Sequence, residues 1–306
     1  MRGNFFIDGQ NAYDAFGVWI VKGGYKDLLK FPAMTEPEKN DWPEEDGVEV
    51  DLSDPKLEKK EIGISFLASR DIYVGEFLEH LSAPGYHTFR IPSLEREWAL
   101  RLDSQKTCRI YPGATDFSLN FIEDQPVRPA LSLPDSGLVI RPSLFELDGV
   151  DLADYGVVVD ESMSSFQKMP TVKQNLTRKV STVDGQIYDP ENVVFNSKET
   201  VFKCRIKAAD MNRMWNCYDA FFGALIQPGE RSLYVDYMGN EFPCYYSKAT
   251  DFKLLSLAPT MISFNLTLVF TVFRIDGVEY LLASQRGNLI VSQDGKYCID
   301  VEPCRK

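Results

Sequence analysis

Internal repetition is the feature that most constrains this chain. Ala114-Thr115-Asp116-Phe117 returns as Ala249-Thr250-Asp251-Phe252, with Cys108 and Cys244 a few residues ahead of the two occurrences. Other pairs recur in the same order. Asp8-Gly9 and Phe16-Gly17-Val18 are echoed by Asp148-Gly149 and Tyr155-Gly156-Val157. Asp46-Gly47 with Asp54-Pro55 answers Asp184-Gly185 with Asp189-Pro190, and Pro84-Gly85 answers Pro228-Gly229. Ordered recurrence of this kind marks a duplicated structural unit. A chain of 306 residues has the length for about two domains of roughly 150 residues each. The expectation is two tandem copies, residues 1–130 and 143–274, joined by a proline-containing linker at 131–142 and followed by an extension at 275–306.

Apolar periodicity assigns the class. Ile62, Ile64 and Phe66 alternate with polar or small residues, as do Ile262, Phe264, Leu266, Leu268 and Phe270, which is the period of a half-buried strand. Leu254 to Phe273 carries no charge over a bilayer-spanning length, but its period of two and Pro259 read as one long strand and not a membrane helix. One helix is expected late in each copy. Val74, Phe77, Leu78 and Leu81 form the first stripe behind Asp71. Met211, Met214, Trp215, Tyr218, Phe221, Phe222 and Leu225 form a broader one behind Asp210, read as core. Further strands are expected at Thr88–Ile91, Glu97–Leu102, Thr107–Tyr111 and Asp116–Ile122, and at Ser232–Tyr237, Glu241–Ser247 and Phe252–Leu257. The fold class is therefore mainly β: two tandem antiparallel β-sandwich or partly closed barrel domains, each with one flanking helix, and a small C-terminal hairpin tail. The tail is signalled by Asp276-Gly277, Arg286-Gly287-Asn288 and Asp294-Gly295.

Charge narrows the partners. The formal net charge is -12, opposite to the basic face of a nucleic-acid binder. The acids concentrate within an excursion at residues 22–60: between 36 and 54, Glu36, Glu38, Asp41, Glu44, Glu45, Asp46, Glu49, Asp51 and Asp54 stand against Lys39. Long excursions inside compact domains are functional or disordered, and Trp42 argues for order. Glu36 to Asp51, with Trp42, is therefore expected to be an arm that packs at a subunit interface or faces a lumen. The acids lack the Asp-x-Asp-x-Asp-Gly spacing of a calcium loop.

Catalytic patterns are poor. There is no nucleophile elbow, phosphate-binding glycine loop or His-Glu-x-x-His. His80 and His87 have no counterparts in the second copy and are expected at the surface or core edge. Asp116 and Asp251 are expected to serve turns and not acid–base chemistry. The cysteines (108, 204, 217, 244, 298 and 304) lack zinc spacing and are expected as free thiols, with a Cys298–Cys304 bridge as the one alternative. Met1-Arg2-Gly3-Asn4 runs directly into Phe5-Phe6-Ile7, so no export signal is read and a reducing cytoplasm is expected. No enzyme, cofactor or metal is expected.

The order strand, turn, strand, long excursion, strand, single helix and returning strands resembles the tube-like domain of bacteriophage tails, shared by tail-tube, distal tail and baseplate hub proteins. The openings Phe6-Ile7-Asp8-Gly9…Phe16-Gly17-Val18 and Phe145-Glu146-Leu147-Asp148-Gly149…Tyr155-Gly156-Val157 are similar to the start of distal tail proteins. The resemblance covers residues 1 to about 274 and carries no catalytic residues. It implies a ring whose inner strands line a channel, with the long loop reaching to the next domain. Two such domains per chain imply a trimer in preference to a hexamer, with other tail proteins as neighbours. It further implies passage of DNA without stable binding, no membrane, synthesis in the cytoplasm and residence in the virion tail. The alternative is a pair of β-sandwiches that bind carbohydrate or protein, with Trp42, Trp98 or Trp215 stacking on sugar.

Overall fold

Two aspartate–glycine turns open the two halves of the fold. The structure, a computed structural model, describes residues 5–69, 74–161, 166–173, 177–182, 184–187 and 193–274. In the first half, β1 (Phe6–Ile7) and β2 (Gln10–Asn11) form a hairpin closed by Asp8 and Gly9 at φ +50° and +78°. Positive φ at both central residues gives the turn whose twist matches paired strands, and Asp-Gly adopts it readily. One turn of helix, α1 (Ala12–Phe16), is capped by Asn11 and stopped by Gly17, and β3 (Val18–Ile20) leaves it. The short strands β4 (Lys39–Asn40) and β5 (Glu49–Val50) pair with each other inside the acidic excursion. There follow β6 (Lys60–Ser69), α2 (Val74–Leu81), β7 (His87–Ile91), β8 (Arg96–Tyr111) and β9 (Ala114–Glu123). The sheet order is β2-β1-β7-β8-β9-β6-β3, antiparallel throughout.

The second half contains β10 (Phe145–Leu147), β11 (Val150–Asp151), β12 (Val157–Glu161), β13 (Lys198–Ala208), α3 (Met211–Leu225), β14 (Arg231–Val235), β15 (Asn240–Leu257) and β16 (Thr260–Phe270). Its order, β11-β10-β14-β15-β16-β13-β12, matches the first sheet element for element. Asp148 and Gly149 repeat the turn at φ +50° and +77°. Gly156 repeats the stop before β12, and a Cβ there would lie 2.9 Å from the Lys207 carbonyl oxygen. The molecule is thus mainly β, two seven-stranded antiparallel sheets each carrying a helix.

The recurring tetrapeptide does not mark equivalent positions. Ala114 opens β9, the outgoing strand of its hairpin, whereas Ala249 lies inside β15, the incoming one. Asp116 sits in a regular ladder opposite Leu67 and Arg109. Asp251, at φ +56°, occupies a bulge and accepts from Asn265 Nδ2 at 2.9 Å. Neither serves the turn expected of it. Two pairs of expected strands are single strands, β8 and β15, because bulges absorb the polar breaks that resembled turns. Both long strands change partner along their length: β8 pairs with β7 at its start and β9 thereafter, and β15 does the same with β14 and β16. The uncharged run 254–273 is correspondingly a hairpin, the end of β15 and the whole of β16. The expected cap Asp71 and the tail hairpins lie outside the described residues.

Alternation sets the core. Ile62, Ile64, Phe66 and Ala68 of β6 face inward beside Phe117, Leu119 and Phe121 of β9, under Phe77 and Leu81 of α2. Phe202, Cys204, Ile206 and Ala208 of β13 do the same beside Ile262, Phe264, Leu266 and Leu268. At the first residue of β6 and of β13 a lysine is buried. Lys60 Nζ donates to the Leu28 carbonyl at 2.9 Å and lies 3.4 Å from Glu123. Lys198 Nζ donates to the Phe166 carbonyl and lies 3.7 Å from the centre of the Phe273 ring. Burial lowers both ammonium pKa values to about 8, Lys60 despite the opposing pull of Glu123.

For Lys198 the folded pKa lies below the unfolded one. The penalty for holding its charge is complete below pH 8 and relieved as pH rises towards 10.5. Between pH 7.5 and 10, the wild type should therefore gain on the order of 2 kcal/mol of unfolding free energy relative to Lys198→Met. Urea unfolding of both proteins across that range checks this, and a pH-independent difference would contradict it.

Candidate assembly surface

Helix α3 is where the two halves meet. Asp210 caps it by accepting the Arg213 N–H at 2.8 Å, and eleven of its fifteen residues are buried. Asn212, Arg213, Asn216 and Asp219 share one polar stripe, and the broad apolar remainder must be covered from more than one side. Phe221 and Phe222 pack on Phe264 of its own sheet, with ring centroids 6.3 and 5.6 Å away. Its other side meets the first half. Trp215 Nε1 donates to the Leu94 carbonyl at 2.5 Å, and its ring lies edge-on to Trp98. Arg96 covers Trp215 at 4.2 Å while forking onto Asp219 at 2.7 and 2.9 Å. Tyr218 Oη donates to the Leu29 carbonyl at 2.9 Å, and burial pushes that phenol well above its ordinary pKa. Gly223 admits the connecting segment, since a Cβ there would stand 3.0 Å from the Ala130 carbonyl oxygen.

The acidic excursion completes the cover. Phe31 stacks on Phe222 at 4.3 Å and 12°. The Pro32 carbonyl accepts from Tyr246 Oη at 3.0 Å, and Met34 N–H donates to the Ser247 carbonyl at 2.8 Å. Farther out, Gly47 N–H donates to the Phe195 carbonyl at 2.7 Å and Val48 N–H to that of Thr271 at 2.9 Å. Gly47 stands at φ +71°, and a Cβ there would fall 1.8 Å from the Thr271 oxygen, so this position demands glycine. The Leu52 carbonyl accepts from Gly229 N–H at 2.7 Å. Lys173, 6% exposed, is held by Asp41 Oδ1 at 2.6 Å and by the carbonyls of Trp42 and Gly47 at 2.8 and 2.6 Å.

The expected arm residues therefore divide. Asp41 and Asp46 reach the second half of the same chain, Asp46 by accepting the Phe195 N–H at 2.8 Å. Glu36 pairs with Lys39, which lowers its pKa, and Asp51 accepts the Ser53 N–H, with the same effect. Glu49 accepts from Trp42 Nε1 at 3.3 Å. Glu38, Glu44 and Glu45 are exposed. Trp42 is 51% exposed within this chain, and the contacts that hold the arm to the second half come from Phe31 and Met34. Their signal was the apolar run Leu28-Leu29-Lys30-Phe31-Pro32-Ala33-Met34, which the charge around it obscured.

The second half carries the same arm. Lys198 and the Phe166 carbonyl correspond to Lys60 and the Leu28 carbonyl, and the bridge Val172–Phe195 corresponds to Met34–Leu57 at one constant offset. The flanking bonds match too: Lys173 N–H to Val194 and Asn196 N–H to Thr171 repeat Thr35 N–H to Lys56 and Glu58 N–H to Ala33. On this alignment Met169 and Val172 stand where Phe31 and Met34 do. Phe31 and Met34 are 5% and 8% exposed; Met169 and Val172 are each 44% exposed. The receiving surface is duplicated as well. Bulges at Asp103 and Ser247 interrupt β8 and β15 at matching points, and the Pro84-Gly85 turn matches Pro228-Gly229. Asp103 and Gly85 are exposed.

Other expected positions resolve individually. Trp98 and Trp215 are buried and offer no platform for a sugar. Cys108 is an exposed free thiol, and Cys204, Cys217 and Cys244 are buried free thiols; burial raises Cys217 to about 11. Cys298 and Cys304 lie outside the described residues. His80 and His87, expected apart from any function, converge on Asp8 with the carboxylate at 2.9 and 2.7 Å. No described helix is long and apolar enough to cross a membrane.

No protein-family model matches the chain, and no curated protein matches its sequence. Among solved structures, SPP1 Dit, described as a paradigm of the hub adsorption apparatus of phages infecting Gram-positive hosts, is similar at 13% identity and a TM-score of 0.30. The match covers 87% of this chain and 98% of that one. A likeness at that score does not establish a shared fold.

The Phe31 ring and the Trp42 ring give opposite expectations. Phe31→Ala should lower the unfolding free energy by about 3–4 kcal/mol, the cost of emptying a stacked aromatic site. Trp42→Ala should change it by under about 0.5 kcal/mol. Urea unfolding monitored by circular dichroism reads both.

Proposed function

We propose that this chain is a non-enzymatic structural subunit of a phage or prophage tail, forming a ring that joins tail tube to tip. Residues 1–130 and 143–274 act as two copies of one tube-like unit, with 131–142 between them. The observation that supports this is the uncovered second arm. The first arm lies on the second unit; the matching face of the second arm, Met169 and Val172, has no such cover among the described residues. In the proposed assembly it lies on the first unit of the next chain, against α2 and the bulge at Asp103. Val172 N–H then meets the Asp103 carbonyl as Met34 N–H meets that of Ser247.

An interface of this kind is heterologous, joining one surface to a different one. It closes into a ring when the rotation per step divides a full turn. Two units per chain make a trimer a six-unit ring, which is favoured over a hexamer of chains. The phage assignment rests on the arrangement of elements in the sequence and on the paired sheets that repeat it. Other tail proteins are the neighbours above and below the ring. The net charge of -12 suits a wall past which DNA slides without binding. The exposed acids Glu38, Glu44 and Glu45 are assigned to that wall or to the junction between chains. The subunit is made in the cytoplasm and ends in the virion tail.

Native mass spectrometry at high protein concentration tests the assembly. The expected result is a closed oligomer, three chains before six, that Met169→Asp combined with Val172→Asp reduces to monomer without lowering the melting temperature. A wild-type monomer at all concentrations, or an oligomer that persists in the double variant, would contradict the proposal.

A further inference from the structure

The Asp8 turn carries a donor set that the duplicated Asp148 turn does not. Each aspartate is fastened to the neighbouring strand in the same way. Asp8 N–H donates to the Thr88 carbonyl at 2.9 Å and its Oδ1 accepts the Thr88 N–H at 2.8 Å. Asp148 makes both bonds to Ser232, each at 2.8 Å. The remaining oxygen, Oδ2, has different company in the two halves. In the second, Arg231 Nη1 sits 2.9 Å away, a permanent cation from the first residue of β14. In the first, the matching residue of β7 is His87, whose Nδ1 lies at 2.7 Å, and His80 from the last turn of α2 adds Nε2 at 2.9 Å. These contacts pull Asp8 below its ordinary pKa, although burial opposes them as the largest single influence.

We propose that Asp8, His80 and His87 form a site for a divalent transition metal of the zinc class. The three ligand atoms, Oδ2, Nε2 and Nδ1, lie within 4.8 Å of one another and come from three elements held by separate contacts. Tetrahedral zinc, with bonds of about 2.0–2.2 Å, places its ligands roughly 3.3–3.5 Å apart. The hydrogen bonds need only open by about half an ångström to reach that spacing. Two imidazoles and one carboxylate suit zinc, nickel or copper and not calcium or magnesium, which take oxygen ligands. The Thr88 N–H on Oδ1 orients the carboxylate, and the Phe16 ring, 5.1 Å from that of His80, packs beside the imidazole. His87 is 7% exposed, and its Nε2 is buried without a hydrogen-bond partner among the described residues; with Nδ1 on a metal the ring proton would sit on that nitrogen. Asp8 and His80 are about one-third exposed, leaving a fourth position open to water. The metal would supply to the first sheet the cation that Arg231 supplies to the second, tying the β1–β2 turn, α2 and β7 together. The site does not depend on the ring.

Isothermal titration of the EDTA-stripped full chain with zinc chloride tests this, in a background of Cys108→Ser, Cys298→Ser and Cys304→Ser to remove competing thiols. One equivalent should bind with micromolar affinity and raise the melting temperature. Cobalt should give the visible absorption of a tetrahedral site with nitrogen and oxygen ligands. His80→Ala, at a position about one-third exposed where the substitution should not disturb folding, and Asp8→Asn should each weaken binding about tenfold or more. Asp148→Asn should leave it unchanged. Absence of saturable binding up to about 100 μM zinc, an affinity too weak for a built site, would overturn the proposal. Binding that survives His80→Ala unaltered would overturn it equally.

Discussion

The stack of Phe31 on Phe222 is the contact on which the two-part structure depends. Helix α3 is apolar over all of its circumference except the stripe of Asn212, Asn216 and Asp219, and its own sheet covers only one side of that apolar surface. Trp98, Leu94 and Leu29 of the first half cover part of the remainder, and Phe31 closes the gap between Tyr218, Phe222 and Tyr246. The polar atoms trapped with these rings are paired: Tyr218 and Tyr246 hydroxyls to carbonyls, Arg96 to Asp219. Unpaired, each would cost roughly 1–3 kcal/mol, so the arm contributes by satisfying groups as well as by burying area. The helices differ for the same reason. Helix α2 has no such second cover and keeps only Phe77 and Leu81 fully buried.

Much of this was legible in the sequence where a backbone demand left a residue signature. Asp8-Gly9 and Asp148-Gly149 mark matching turns because both positions need positive φ, and Gly17 and Gly156 mark matching helix stops. The stripes of α2 and α3 and the alternation in β6, β13 and β16 were equally plain, because burial on one face imposes a period. The tetrapeptide misled because Thr-Asp suits a bulge, a ladder and a turn alike. Asp116 and Asp251 occupy two of these and not the third. Trp42 signals order without saying what it touches; within this chain its ring nitrogen bonds Glu49 of the same hairpin. The Asp8–His80–His87 cluster was hidden because its members are brought together by a strand register and a helix phase, neither of which spacing in sequence reveals. The second half obscured it further by placing an arginine, not a histidine, at the matching site.

The shared order of elements in the two sheets links these observations. Both halves keep the buried lysine, the arm root, the bulge and the turn. They differ in what each arm covers: one closes over α3 of its own chain, and the other presents Met169 and Val172 outward. A surface retained in both halves but covered, among the described residues, in only one is the basis for proposing that neighbouring chains use the other.

The most direct test places cysteines at the two proposed contact points, Val172→Cys and Asp103→Cys, in a chain with Cys108→Ser. If the second arm of one chain lies on the first unit of the next, mild oxidation should give a ladder of covalent oligomers ending at one closed size, three chains on this account. Each single variant should give none. Only monomeric product from the double variant, under conditions where the protein is assembled, would contradict the account.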